Sequence, residues 1–326
     1  MPLRTNPMRI AMLGATSEIA KDLVLSFSAQ SSHELVLFAR RPEIVKQWLG
    51  NVGLLGRYVV ADFGALSMEE DFDALFNFVG VGNPAQALLM GASIFDITLK
   101  YDELALDYVR QHPQCRYIFL SSGAAYGLNF NEPVDENTQA VLAINNLLPQ
   151  DWYAVAKLHA ESRHRSLPHL PIVDIRVFNY FSHTQNISAR FLMADILRAI
   201  QSGEALITSS DNILRDYIGT DEFYSLVSLI LAAPLTNSVL DCYTMAPVDK
   251  MSLLFAIKDQ YGLMYQVTEN NSGQNETRGK RNYFSRNRRA EKFGYAPKRN
   301  SMEIVLHELE LFFRKYPLTS SGFDYD

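Results

Sequence analysis

Residues 8–30 read MRIAMLGATSEIAKDLVLSFSAQ, and two periodicities meet inside them. Met8–Leu13 is a short apolar run, as expected of a buried strand. From Ile19 the apolar positions fall at helical spacing: Ile19, Leu23, Val24 and Phe27. Between the two stands a turn of small residues beginning at Gly14. Strand, small-residue turn and helix together make a phosphate cradle, because the N–H groups and dipole of the helix N-terminus face an anion. Gly14, Thr16, Ser17, Glu18 and Ile19 are therefore candidate cofactor-binding residues. Gly14, Ser17 and Ala20 have the spacing of a Gly-x-x-Gly-x-x-Gly fingerprint, but only the first is glycine. A Cβ at Ser17 narrows the approach of a pyrophosphate. Any tight βα turn shares this local pattern, so the rest of the chain must decide.

Downstream the alternation continues. His33–Ala39 reads as a second strand and ends in Arg40 and Arg41. In dinucleotide folds this strand end meets the adenosine ribose, where a carboxylate selects a 2′-hydroxyl and an arginine accommodates a 2′-phosphate. Arg40 and Arg41 thus point to NADP, with NAD as the alternative. Two solvated arginines opening a helix would look the same locally. A third strand near Arg57–Val60 leads to Asp62 and Phe63, candidates for adenine contact, although Asp62 is equally a cap or turn residue. Ala74–Val81 is a fourth buried run, and Val79 and Gly80 near its end would let a cofactor pass close to the backbone. A helix over 102–110 and a fifth strand over 116–120 follow. Strands alternating with helices at this pace predict an α/β, doubly wound parallel sheet, the Rossmann fold, with sites at the carboxyl ends of its strands. Residues 1–175 are expected to form the dinucleotide-binding domain. Residues 176–326 are expected to form mainly a smaller mixed α/β substrate-binding lobe, with some segments returning to the sheet.

The fifth strand runs into Ser121-Ser122-Gly123-Ala124-Ala125-Tyr126-Gly127, a hydroxyl pair suited to a substrate oxygen or simply a Ser/Gly turn. Asp151–Lys157, DWYAVAK, then sets Tyr153 and Lys157 one turn apart on a predicted helix. A nearby ammonium favours a phenolate and lowers the phenol pKa, which suits proton exchange with an alcohol or ketone beside a nicotinamide. Alone, Tyr-x-x-x-Lys is a weak signal in a chain with 16 tyrosines.

Taken together, GATSEIA, SSGAAYG and YAVAK resemble the extended short-chain dehydrogenase/reductase family. Further segments match in order: Arg176-Val177-Phe178-Asn179, Leu214-Arg215-Asp216-Tyr217-Ile218, and Phe293-Gly294-Tyr295-Ala296-Pro297 before a last helix. More narrowly, the chain resembles the nucleotide-sugar epimerases, dehydratases and 4-ketoreductases. The resemblance implies Tyr153 as acid/base, Lys157 as holder of the nicotinamide ribose that lowers the tyrosine pKa, Ser122 as the catalytic Ser/Thr, and Ser121 as its less critical neighbour at the substrate. It implies Asn179 and Arg215 at the diphosphate of a nucleotide sugar, with Arg278 or Arg281 as a further phosphate ligand. Arginine suits phosphate because its fork binds bidentately. It also implies a homodimer. The sequence departs from the family where Tyr180-Phe181-Ser182-His183 replaces the usual Gly-Pro. It also carries a longer stretch before Tyr153, NFNEPVDENTQAVLAINNLL, that could cover the sugar site. Residues 270–281 read as a loop over a ligand, and Met302–Lys315 as a core-packed helix.

Composition narrows the classes. The 326 residues carry a net charge of −6, which gives no field for a nucleic-acid backbone. Cys115 and Cys242 belong to no metal-like cluster and read as reduced thiols, so no metal is expected. No apolar run has the length of a membrane span, and Ile10–Leu13 is too short for a signal-peptide core, so a cytoplasmic protein is expected. The leading expectation is NADPH-dependent reduction of a nucleotide-activated keto-sugar, of the 4-ketoreductase type. An epimerase with tightly bound NAD is the alternative, and a non-catalytic NADP-binding protein the second. A dehydratase needs an Asp-Glu pair where Ala124 and Ala125 stand.

Overall fold

The computed structural model describes residues 6–80, 87, 89–189, 191–269 and 280–317. In chain order the first half runs β1 (Arg9–Leu13), α1 (Glu18–Gln30), β2 (Glu34–Phe38), α2 (Pro42–Asn51), β3 (Val59–Ala61), β4 (Ala74–Asn77), α3 (Ser93–Gln111), β5 (Arg116–Ser122), α4 (Trp152–Arg165) and β6 (Ile172–Val177). The second half runs β7 (Asn179–Tyr180), α5 (Leu192–Ser202), β8 (Leu206–Ser209), β9 (Leu214–Arg215), β10 (Tyr217–Ile218), α6 (Thr220–Ala232), β11 (Ser238–Asp241), β12 (Val248–Asp249), α7 (Lys250–Tyr261), β13 (Tyr265–Thr268), β14 (Asn282–Tyr283) and α8 (Ser301–Lys315).

Seven strands form one parallel sheet in the order β11-β6-β5-β4-β1-β2-β3. Strand alternation feeds two cores. Ile10 and Met12 pack on one face with Leu23, Phe27, Phe223 and Leu226 of α1 and α6. Ala11 and Leu13 pack on the other with Leu106, Tyr117 and Phe119. Both faces are covered by helices, which is why β1 reads as a continuous apolar run.

The chain reverses its order of strand addition between β1 and β4, and this is where a doubly wound sheet opens a crevice. Gly14 sits there with φ +83°, and a Cβ on it would come within 2.8 Å of the Phe78 carbonyl carbon and the Val79 nitrogen. Only glycine lets the exits of β1 and β4 lie this close.

A third core lies around α5, α7 and α8, with Phe181, Leu197, Leu254, Val305 and Leu309 fully buried. The helix α8 starts on a reciprocal cap, in which the Glu303 N–H donates to Asn300 Oδ1 and the Asn300 N–H to Glu303 Oε2. Three small sheets, β7 with β10, β8 with β13, and β12-β9-β14, tie these pieces together. Among the described residues no helix is long and apolar enough to cross a membrane.

Candidate active site

The helix α4 packs against β5 and carries the expected pair. Lys157 is buried, donates to the Leu120 carbonyl at 2.7 Å, and lies over the Phe119 ring at 4.4 Å. Burial lowers its pKa to about 8, against the opposing pull of Glu161, Asp174 and Asp102. Tyr153 does not show the lowered pKa expected from the sequence. Burial pushes its phenol up, and the hydrogen bond with Ser122 works in the other direction. The reason is geometric: the ammonium is engaged by the Leu120 carbonyl and lies 5.9 Å from the centre of the Tyr153 ring.

Ser122 ends β5. Its Oγ accepts the Ala124 N–H at 3.2 Å, starting the short 3-10 turn Gly123–Tyr126, and lies 3.3 Å from the hydroxyl of Tyr283. Ser121 points elsewhere, because successive side chains alternate along a strand. Its hydroxyl donates to Glu161 at 2.5 Å, and Glu161 also accepts from Arg176. The expected place of Ser121 at the substrate is corrected accordingly: its hydroxyl is committed to a buried network behind Ser122.

The expected cofactor residues gather at the carboxyl ends of β1 to β4. The N–H groups of Gly14 and Ala15 both donate to the Phe38 carbonyl, at 2.9 and 3.1 Å, and the Ser17 N–H donates to Gly14 at 2.9 Å. These bonds close the turn. Thr16 is exposed, and Glu18 and Ile19 form the first turn of α1, whose N–H groups have no intrahelical acceptor. The Glu18 carboxylate accepts from Gln185 Nε2 at 2.9 Å and the Asn186 N–H at 3.2 Å, tying the turn to the loop after β7. Arg40 and Arg41 are exposed just beyond β2. Asp62 caps a 3-10 turn by accepting the Gly64 N–H at 2.7 Å, and Phe63 packs on Tyr101 with ring centres 4.4 Å apart. The Val79 N–H donates to Asn77. Gly80 has φ +147°, and a Cβ there would lie 3.8 Å from Lys157 Nζ. The missing side chain leaves open ground beside the lysine, and with the α1 N-terminus this fits a dinucleotide.

On the opposite side, β9 pairs with β14 so that Arg215 lies opposite Tyr283. Arg215 is buried and donates to the carbonyls of Leu214 at 2.7 Å and Lys280 at 2.8 Å. Burial pushes its pKa down, opposed by Tyr217 and Tyr283. Burial and Arg215 also push the Lys280 ammonium down, with Asp151 opposing. Among the described residues neither cation has a carboxylate in salt-bridge contact. Arg215 is buried and Lys280 half-buried, and charge withdrawn from water without a partner is costly, so the two together suit an anion. Asn179 uses its amide to donate to the carbonyls of Asp216 at 3.3 Å and Tyr283 at 3.5 Å, which ties β7 to the junction of β9 and β10 and to β14. Arg281 is exposed; Arg278 and most of the 270–281 loop lie outside the described residues. Among the described residues no group of three or more potential ligands could hold a metal.

Sequence reading missed Tyr283 and Lys280. No local signal marks them, since only the pairing of β9 with β14 brings them to the site. The longer stretch before Tyr153 is expected from the sequence to cover the sugar site. Part of it clasps the segment bearing Tyr283: the Val134 N–H donates to the Phe284 carbonyl, the Arg286 N–H donates to Val134, and Phe130 packs on the Tyr283 ring at 4.6 Å.

Comparison with known proteins agrees with this fold. The profile of the NAD dependent epimerase/dehydratase family matches residues 10–241. No curated protein sequence matches the chain. Among solved structures, UDP-glucose-4-epimerase from Stenotrophomonas maltophila, with bound NAD and formylated UDP-arabinopyranose, superposes with a TM-score of 0.77 at 18% identity, covering 95% of this chain and 98% of that one. UDP-glucuronic acid 4-epimerase from Bacillus cereus, in complex with UDP-glucuronic acid and NAD, gives 0.75 at 14% identity, covering 95% and 100%. The dTDP-glucose 4,6-dehydratase from Bacillus anthracis str. Ames, in complex with NAD, gives 0.73 at 14%, covering 94% and 97%.

Proposed function

The chain belongs to the NAD dependent epimerase/dehydratase family, and from that premise we propose that it is an oxidoreductase acting on a nucleotide-activated sugar, reducing a sugar ketone with NADPH. The observation that carries this reading is the meeting of Ser122, Tyr153 and Lys157 with the buried Arg215 and the half-buried Lys280, neither in salt-bridge contact with a carboxylate among the described residues. The first group suits proton and hydride exchange at a carbonyl, and the second suits a diphosphate.

A bound nicotinamide supplies the hydride. Tyr153 gives its proton to the carbonyl oxygen, while the Ser122 hydroxyl donates a hydrogen bond to the same oxygen. Lys157 would hold the nicotinamide ribose, and the Ser122 hydroxyl favours the phenolate left behind. Arg215 and Lys280 hold the diphosphate, whose charge offsets the cost of burying them. We assign residues 1–175 to the dinucleotide and 176–326 mainly to the nucleotide sugar.

Support for NADP comes from the end of β2, where Arg40 and Arg41 are exposed and no acid stands. A second reading, an epimerase that retains NAD and returns the hydride, draws on the NAD bound in the solved relatives. Replacing Tyr153 by Phe separates catalysis from binding. With NADPH and a panel of keto-sugar nucleotides, Tyr153→Phe is expected to lose about 10²- to 10⁴-fold in turnover. Near-normal turnover would refute the mechanism.

A further inference from the structure

Tyr283 comes from far along the chain and ends against Ser122. Its side chain is buried, and its ring is held by Phe130, by Phe178 with centres 5.1 Å apart, and by the Lys280 ammonium 4.9 Å from the ring centre. Its backbone is anchored as well. Ser285 donates at 2.5 Å to Asp241, which ends β11 and also accepts the Tyr126 hydroxyl at 2.8 Å. The tyrosine hydroxyl therefore has little freedom to leave the 3.3 Å contact with Ser122 Oγ.

A serine hydroxyl has one proton and two lone pairs. In this site the Ala124 N–H donates to Ser122 Oγ. If the Tyr283 hydroxyl donates as well, both lone pairs are taken, and the serine proton is left to point at the remaining partner, Tyr153, or at a substrate oxygen beside it. Ser122 stands near enough to Tyr153 to favour its phenolate, and Tyr153 and Tyr283 are close enough that ionisation of one opposes ionisation of the other.

We propose that Tyr283 is a positioning residue that donates to Ser122 and so aims the serine proton at Tyr153 and the reacting oxygen. The proposal rests on the hydride-transfer reading and adds to it a third hydroxyl that no local motif marks. Tyr283 acts through Ser122 and need not touch the sugar. Contacts of this kind are often long without ligand and tighten when one binds.

The test is Tyr283→Phe, which keeps the ring in its aromatic setting and removes only the donor. In protein carrying ¹³Cζ-labelled tyrosine and bound NADPH, the Tyr153 resonance should titrate at higher pH in the variant, by roughly half a unit or more, because a weakened Ser122 donation stabilises the phenolate less. With an accepted keto-sugar nucleotide, kcat should fall about tenfold with KM little changed. A Tyr153 titration identical to that of the parent protein would overturn the proposal. Ser122→Ala gives an independent check should Tyr283→Phe fold poorly: the Tyr283 resonance must shift when its partner is removed, and an unmoved resonance also overturns it. If Tyr153→Phe abolishes hydride transfer while the Tyr153 titration ignores Tyr283, the functional reading stands and this inference falls. If Tyr153→Phe stays active, the reading itself falls.

Discussion

Arg215 is the residue whose setting is hardest to explain without a ligand. It is buried, and among the described residues its hydrogen bonds go to backbone carbonyls. Removing one partner of a satisfied buried ion pair destabilises a protein, but Arg215 has no such partner among the described residues. Arg215→Met is therefore expected to leave the thermal midpoint equal to or above that of the parent chain. It should also weaken the binding of UDP or dTDP by about 10- to 100-fold, the range of a charge-assisted bidentate contact. Calorimetric titration with the free nucleotide measures this, and unchanged affinity would remove Arg215 from the diphosphate site. At this scale the sequence was informative where chemistry is local. Tyr153 and Lys157 share one helix, and Ser122 closes one strand. It misled at Ser121, because two adjacent serines cannot both face a site from an extended strand. It was silent at Tyr283, which depends on strand pairing across the chain.

Among the elements, α4 does two jobs. One end carries Tyr153 and Lys157, while further along the helix His164 is fully buried between Asp174 at 2.6 Å and Asp102 at 2.7 Å. Burial alone would lower the histidine pKa, but the two carboxylates outweigh it and raise it from 6.5 to about 9. A folded-state pKa above the unfolded one gives stability that is fully present below about 6.5 and is lost as pH rises through about 9. That contribution is on the order of 3 kcal/mol. The gap in unfolding free energy between the parent chain and His164→Gln should narrow by this order from pH 6.5 to 9 in urea titrations, and a constant gap would contradict the assignment. Elements with a clear apolar stripe were legible. The helix expected over Met302–Lys315 lies within one residue of α8, which the Asn300 and Glu303 cap starts at Ser301. The sequence placed a helix only over 102–110, whereas α3 begins at Ser93, because Ala92 offers no side-chain cap to announce it.

The whole molecule joins one sheet-based unit to a smaller cluster of helices and short strands. The loop after β7 is a seam between them: Asp22 of α1 accepts from Tyr180 and Thr184, and His183 pairs with Glu308 of α8. The doubly wound sheet was readable from alternating apolar runs, since its strands are buried on both faces. The small sheets were not, because strands of two residues carry no periodicity. Solved structures with the same fold hold NAD, whereas the NADP proposed for this chain rests on Arg40 and Arg41, exposed at the end of β2. The identity of the cofactor is therefore the point at which the reductase and epimerase readings part. The decisive measurement is chromatography of whatever nucleotide the purified protein releases on denaturation, followed by fluorescence titration of the cofactor-free protein with NADPH and NADH. The account predicts no stoichiometric NAD and binding of NADPH at least about tenfold tighter than NADH, the worth of about 1.4 kcal/mol from an arginine–phosphate contact. Stoichiometric NAD in the released fraction would contradict it and leave the epimerase.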